Sequence, residues 1–441
     1  MLRLGPSLTF VEESVRERRQ VCLDVAQAQG RLTSVVGAVF HRYGVVWAGS
    51  SGACPGLAGQ YRIGSITKTL TAVLVMQARD AGLVSLDDPI GRHLGDVGYA
   101  EATIRDLLSH TSGAQSEPAG PWWERSRGGD FGALAAANDG SGRVARSGEF
   151  YHYSNLGYGL LGEMLARVTG RPWRQLVHDV LLTPLAMTRT SYLPRPHAQP
   201  GWSVDHFTGI RTLEPLSSTG AMAPAGQLWS TVPDLVTWGQ FLAGARPDLL
   251  DPSTLHEMSL PVTDGYGLGL KLSANAGGVL VGHGGSMPGF MASLFVDPGS
   301  GIGAALLTNA TTGIDTHQLA MDLIDGDFID HVPDPWMPTV TLPPEVGEVP
   351  GLWFWGNSAV EARWHNGGLD LSPLAPFGTS GDRFELQGDR LVGVSGYHRG
   401  ETLHLHRRPD GSVGHLECAT WIYTRTPYDP DAPIPGGHPR R

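Results

Sequence analysis

Apolar and polar positions alternate with helical and strand periods along the first 330 residues, and with short strand-like runs beyond 350. Val11, Val15, Val21 and Val25 form a loose apolar stripe among charges and predict a helix over 8–30. The run 34–48 reads as a hairpin turning near Gly44. A long helix is predicted from Ser65 to Ala81, with Gly82 as its stop signal. Further helical patterns fall at 101–109, 155–169, 172–182, 233–243 and 315–325. Strand patterns fall at 266–272, 279–282, 290–296 and 302–308. Helices in the middle with strands at both ends predict an α+β domain over 8–332. Its single sheet would draw strands from both ends of that domain.

Six prolines between 333 and 350 mark a linker. Beyond it, short strands are expected at about 352–355, 359–364, 369–372, 383–387, 390–394, 402–407 and 414–424. Separated by Gly, Asp and Pro turns and without helices, they predict a small all-β barrel or sandwich over 351–426. The Pro- and Gly-rich segment 427–441 reads as a disordered tail.

Composition narrows the function. A formal net charge of −11 argues against a nucleic-acid partner and against an anionic membrane surface. No apolar run is long enough to cross a bilayer, and the N-terminal residues lack the apolar core of a signal peptide, so a cytoplasmic protein is expected. Cys22, Cys54 and Cys418 are too scattered for a disulfide framework or zinc spacing and read as buried free thiols. Lysine occurs only twice, at 68 and 271, while arginine is abundant. Arginine keeps its proton and cannot serve as a base, whereas lysine can be tuned to do so.

Against that background Ser65-Ile-Thr-Lys68 stands out. A helix opening at Ser65 places Lys68 one turn on, on the same face. A serine needs a neighbouring base to become a nucleophile, and a buried lysine can be that base. Tyr151-His-Tyr153-Ser-Asn155 precedes a helical stretch. A tyrosine beside a lysine cation is expected to have a lowered pKa and to relay protons, and an Asn offers a donor and an acceptor to a substrate amide. In Gly282-His283-Gly284-Gly285-Ser286, glycines would let a substrate approach a strand edge. The backbone N–H of Ser286 could then pair with that of Ser65 as an oxyanion hole.

The order Ser-x-x-Lys, Tyr-x-Asn, His-x-Gly resembles the penicillin-binding-protein and class C β-lactamase superfamily of serine enzymes. Leu107-Leu-Ser-His-Thr-Ser-Gly113 and Tyr153-Ser-Asn-Leu-Gly-Tyr-Gly-Leu-Leu-Gly162 add to that resemblance, which covers about residues 10–330. It implies a β-lactamase/transpeptidase-like fold, a helical cluster beside an antiparallel sheet. It also implies an acyl-enzyme on Ser65, with Lys68 and Tyr153 exchanging protons. Asn155 would hold the substrate amide, and His283 to Ser286, Gly285 included, would line the opposite wall. His283 stands where the β-lactamase branch has Lys-Thr-Gly, a departure that looks like the esterase, aminopeptidase and acyltransferase branches. His283 is read as a neutral donor or a proton shuttle.

The C-terminal barrel resembles the lipocalin-like module of some superfamily members. The two-domain plan without export resembles penicillin-binding-protein-type thioesterases, the stand-alone cyclases of nonribosomal peptide assembly. The expected function is therefore serine acyl transfer, leaning to macrocyclisation of a peptidyl thioester. A cytoplasmic esterase or D-amino-acid peptidase or amidase is the alternative, and an acyl-binding sensor the third. The expected partner is a small-molecule or peptide acyl substrate, with a peptidyl carrier protein as its candidate carrier. No cofactor and no metal are expected. Gly157-Tyr-Gly159-Leu-Leu-Gly162 mimics a dinucleotide fingerprint without its strand–turn–helix context, and His404 and His406 share a strand face without a third ligand. Residues 114–150, with Trp122 and Trp123, are read as a loop-rich insert forming a lid over the pocket.

Overall fold

The computed structural model describes residues 13–196, 198–275, 277–325, 332–375, 381–437 and 439. The chain forms two compact units, Met1–Ser203 with Leu213–Pro335, and Val204–Thr212 with Trp336–Arg441.

The first unit is built on a six-stranded antiparallel sheet. Its strands are β1 (Ser34–His41), β2 (Gly44–Gly52), β3 (Lys271–Asn275), β4 (Gly278–Met287), β5 (Phe290–Val296) and β6 (Gly303–Thr308). Their order is β2-β1-β6-β5-β4-β3, so the two ends of this unit meet where β1 pairs β6, Val35 opposite Thr308. The apolar runs of β1, β5 and β6 are continuous because both faces are covered. On one face Gly37 lies near Leu23 of α1 (Glu13–Gln29); on the other, Phe40 meets Gly239 of a helix over Val232–Leu242. Residues 8–12 of the expected first helix lie outside the described residues.

The helical cluster centres on α2 (Thr67–Asp80) and α3 (Asn155–Thr169). Leu70, Val73 and Leu74 of α2 and Leu161, Met164 and Leu165 of α3 belong to one buried apolar core. The glycine-rich fingerprint of α3 is a packing device: Gly162 lies against the Pro224 ring, and no phosphate-binding turn precedes it.

Three local expectations change. The strand predicted over 266–272 begins only at Lys271, because Gly265 and Gly269 adopt φ of +75° and +77°, which breaks an extended run. The helix predicted over 172–182 is α-helical at Trp173–Leu176 and widens to a π-helix over Val177–Leu182. The insert 114–150 contains a helix of its own, Phe131–Ala137, capped by Asp130.

The second unit is a closed eight-stranded antiparallel barrel. Its strands are β7 (Gly351–Trp355), β8 (Ser358–His365), β9 (Gly368–Pro373), β10 (Asp382–Gln387), β11 (Arg390–Ser395), β12 (Thr402–Arg407), β13 (Val413–Cys418) and β14 (Trp421–Thr424). The run expected at 414–424 is thus two strands, parted by a turn with Ala419 at φ +51°. Val346 and Val349, within the Pro-rich stretch, pack into the barrel core beside Trp353 and Leu416. No described helix is long and apolar enough to cross a membrane.

Candidate active site

Ser65 sits in a single 3-10 turn, Gly64–Ile66, that feeds α2. The helix proper begins two residues later than the sequence suggests, yet Lys68 still lies one turn on. Lys68 is fully buried. Its ammonium donates to three oxygens, Ser65 Oγ at 2.8 Å, Asn155 Oδ1 at 2.6 Å and the Ala225 carbonyl at 2.7 Å. Burial pulls its pKa down to about 7, while Glu117 and Glu124 oppose that fall. When Lys68 loses a proton, two N–H bonds can stay on Asn155 and Ala225 and the lone pair then faces Ser65.

Tyr153 O–H donates to Ser65 Oγ from 2.8 Å. The expected lowering of its pKa does not occur. Burial, the largest effect, raises it well above the usual phenol value, and Lys68 lies over the ring face, 5.0 Å from its centroid. Tyr153 is therefore a neutral phenol holding a proton to give. Asn155 opens α3 just after its N-cap, Ser154, whose Oγ accepts from Gly157 N–H at 3.2 Å. Asn155 brackets two charges, because its Nδ2 also donates to Glu117 Oε1 at 2.8 Å.

The opposite wall is β4. Pro288-Gly289 closes a two-residue hairpin between Met287 and Phe290, so alternation makes Ser286–Met291 a non-hydrogen-bonded pair. The Ser286 N–H thus points away from β5, toward the Ser65 turn. A Cβ on Gly64, whose φ is +49°, would lie 2.6 Å from Ser286 N, and one on Gly285 would lie 2.0 Å from the Ile63 carbonyl oxygen. Glycine at both positions lets the two backbones approach as an oxyanion site requires. Ser65, Tyr153, Lys271, His283, Ser286 and His317 line an open cleft of about 680 Å³.

His283, largely buried in the wall of this cleft, belongs to a directed hydrogen-bond chain. Ser154 N–H donates to His110 Nδ1 at 3.0 Å, so His110 carries its proton on Nε2, 3.1 Å from the Tyr266 hydroxyl. His283 Nδ1 lies 2.5 Å from the Gly284 carbonyl, which can only accept, so that nitrogen bears the proton. His283 Nε2 then accepts from Tyr266 O–H at 3.1 Å. Burial, reinforced by the Lys68 charge, holds His110 well below the usual imidazole value and His283 down to about 3. Both rings are neutral, and His283 Nε2 is occupied as an acceptor.

The sequence motifs contained His110 but gave it no role, and they missed Tyr266 and Glu117. Glu117 Oε2 also accepts from Trp123 Nε1 at 2.5 Å. Trp123 is buried and fixes this carboxylate; Trp122 is exposed, bonded to Glu124 and facing the Arg125 guanidinium at 5.2 Å. Neither tryptophan is among the residues lining the Ser65 cleft. Because Glu117 raises the Lys68 pKa, Glu117→Gln should shift the acid limb of the acylation rate below pH about 7. A limb that stays in place would show that this charge does not reach Lys68.

The family model described as Beta-lactamase matches residues 15–325. This chain belongs to that family. It is a family of serine hydrolases, and a domain family of unknown function (DUF7586) matches residues 342–425. Penicillin-binding protein 4 of Amycolatopsis lactamdurans is 30% identical over 278 residues, covering 56% of this chain and 72% of that protein. The D-alanyl-D-alanine-carboxypeptidase/endopeptidase AmpH of Escherichia coli is 29% identical over 46% of this chain. The chain spans 53% of AmpH and 39% of Beta-lactamase-like protein 2 of Dictyostelium discoideum, about half or less of either. Among solved structures, a D-stereospecific amidohydrolase from Streptomyces sp. superposes with TM-score 0.62 at 28% identity, covering 71% of this chain and 99% of that one. SurE superposes with TM-score 0.59 at 25% identity and covers 94% of this chain and 99% of its own; it has also been solved with D-Leu.

Proposed function

We propose that the protein is a peptide cyclase that carries a peptidyl group on Ser65 and releases it to an amine of the same substrate. The observation that carries this reading is a serine held by both a proton acceptor and a neutral proton donor in a wide cleft. Support comes from SurE, whose likeness extends over 94% of the chain and which has been solved with D-Leu, a D-configured group of the kind proposed here at the acyl end.

In the proposed sequence Ser65 Oγ attacks the thioester carbonyl and Lys68 takes its proton. The Ser65 and Ser286 N–H groups bind the oxyanion. The departing thiol takes a proton from Tyr153, which Lys68 restores. An amine nitrogen then attacks the ester, and its proton returns through the same pair to Ser65. Thioester and amine become amide and thiol. His283 acts through Tyr266 as a positioning residue in this scheme.

A second reading is a hydrolase acting on D-configured amides or peptides. The amidohydrolase likeness at 28% identity favours it, and so does the AmpH relationship. Peptidyl thioesters ending in L- or D-residues, presented on a small thiol and on a carrier protein, separate the two. With Ser65→Ala as control, mass spectrometry should show a cyclic product, lighter than the linear acid by one water, from the D-terminated substrates. Linear acid alone makes the protein a hydrolase. A stable acyl-enzyme without release makes it a sensor.

A further inference from the structure

The barrel unit holds a side-chain cluster that the Ser65 chemistry does not use. His398 and Cys418 are buried, at 1% and 0% exposure, while Glu401 reaches solvent. His398 Nδ1 lies 2.6 Å from Glu401 Oε2, and Cys418 Sγ lies 3.8 Å from the same oxygen. One donor atom from each residue falls within 4.8 Å of the others. The connection between β11 and β12 that carries His398 and Glu401 is bolted down. Gly393 N–H donates to the Glu401 carbonyl at 2.8 Å, Glu401 N–H to the His398 carbonyl at 3.0 Å, and His398 N–H to Asp382 Oδ1 at 2.9 Å. Cys418 comes from β13, one strand over, opposite Leu403.

The second ring nitrogen of His398 is the unexplained atom. His398 Nε2 is buried and has no hydrogen-bond partner. It faces Asp382 Oδ2 at 4.0 Å, an oxygen that accepts only. With the ring proton on Nδ1, directed at Glu401, the Nε2 lone pair confronts a carboxylate. Moving that proton to Nε2 turns the confrontation into a hydrogen bond and frees Nδ1. That is the arrangement of a metal-bound histidine, whose other N–H is held by a carboxylate behind it.

We propose that His398 Nδ1, Glu401 and Cys418 Sγ form a binding site for a divalent transition metal of the zinc type, with Asp382 orienting the histidine. In a tetrahedral zinc site with metal–ligand lengths of about 2.0–2.3 Å, ligand atoms stand roughly 3.3–3.8 Å apart. The sulfur–carboxylate distance already fits. The His398–Glu401 distance is that of a hydrogen bond, and it opens when the metal replaces the proton between them. Thiolate and imidazole donors select against magnesium and calcium. The Cys418 thiol gives its proton to solvent and the His398 proton moves to Nε2, so one proton leaves per metal bound. The exposed side of Glu401 leaves the fourth position for water. The sequence holds no recognised zinc spacing because the thiolate is supplied by a neighbouring strand.

Cobalt(II) added to the full chain tests this. One equivalent should produce the near-ultraviolet absorption of a cobalt–thiolate bond, and zinc should abolish it. Cys418→Ser should remove that band, while Cys22→Ser with Cys54→Ser should leave it. Asp382→Asn should weaken cobalt binding about 10–100-fold. Glu401→Gln, exposed and still able to accept from His398 through its amide oxygen, should weaken it by a similar factor and decides the matter if Cys418→Ser fails to fold. A second cluster, with His406 Nε2 2.7 Å from Glu417 and its ring stacked on His415 at 4.3 Å, holds no thiolate and cannot give this band. Absence of the band, its survival in Cys418→Ser, or unchanged affinity in Glu401→Gln would overturn the proposal.

Discussion

Lys68→Arg should leave a folded, positively charged protein that no longer acylates Ser65. Lys68 is fully buried with three acceptors around its nitrogen, and burial brings its pKa down to about 7, so near neutrality the amine can hold a free lone pair facing the nucleophile. Arginine keeps the charge and cannot release the proton at any accessible pH. A general base contributes about 10²–10⁴ in rate, and a loss of that size in kcat/KM is expected. The sign of the pH dependence follows from the same group. The active form is the neutral amine, so the unmodified enzyme should lose acylation as pH falls through about 7 and level off above it. Intact-protein mass spectrometry of acyl-Ser65 over time measures both effects. Near-native acylation in Lys68→Arg, or a rate independent of pH across that range, would refute lysine as the base.

The parts of this site that were readable in the sequence are those fixed by short-range geometry. Ser65 and Lys68 are three residues apart, and one helical turn brings them together whatever the rest of the chain does. Tyr153 and Asn155 flank a helix start, and Gly285 with Ser286 sits beside a two-residue hairpin. Those local signals survive in the fold. Glu117, Tyr266 and the role of His110 were not readable, because each acts through a partner far along the chain. Glu117 bonds a side chain 38 residues on, and the His110–Tyr266 contact spans 156 residues. Nothing in a loop-rich insert distinguishes a carboxylate bonded to Asn155 and Trp123 from one that meets only solvent. The tryptophans drew attention to that insert, but Trp123 serves to hold Glu117 and Trp122 lies on the surface. Tyr153 marks the limit of charge-based reading. A neighbouring cation suggested an acidic phenol, but the burial that comes with bringing Lys68 and Tyr153 onto one serine oxygen acts the other way and is larger.

The second large effect is expected from one methyl group. Gly285→Ala would set a Cβ 2.0 Å from the Ile63 carbonyl oxygen, an overlap with backbone that no side-chain rotation relieves. Strand β4 must then draw back from the Gly64–Ser65 turn. The Ser286 N–H moves with it, and the two oxyanion donors no longer converge. Loss of one such donor costs about 10²–10³ in kcat. The neighbouring glycine provides the control. A Cβ on Gly284 would meet nothing nearer than the Ala292 carbonyl at 3.9 Å, so Gly284→Ala should keep the strand in place and change the rate little. Single-turnover acylation with a thioester substrate, run beside thermal unfolding of both variants, separates the catalytic loss from simple destabilisation. Equal rates in the two variants, with Gly285→Ala still folded, would mean that the close approach of β4 to Ser65 does not build the oxyanion site. The contrast between adjacent glycines isolates backbone approach from side-chain chemistry, because neither position has a side chain to lose.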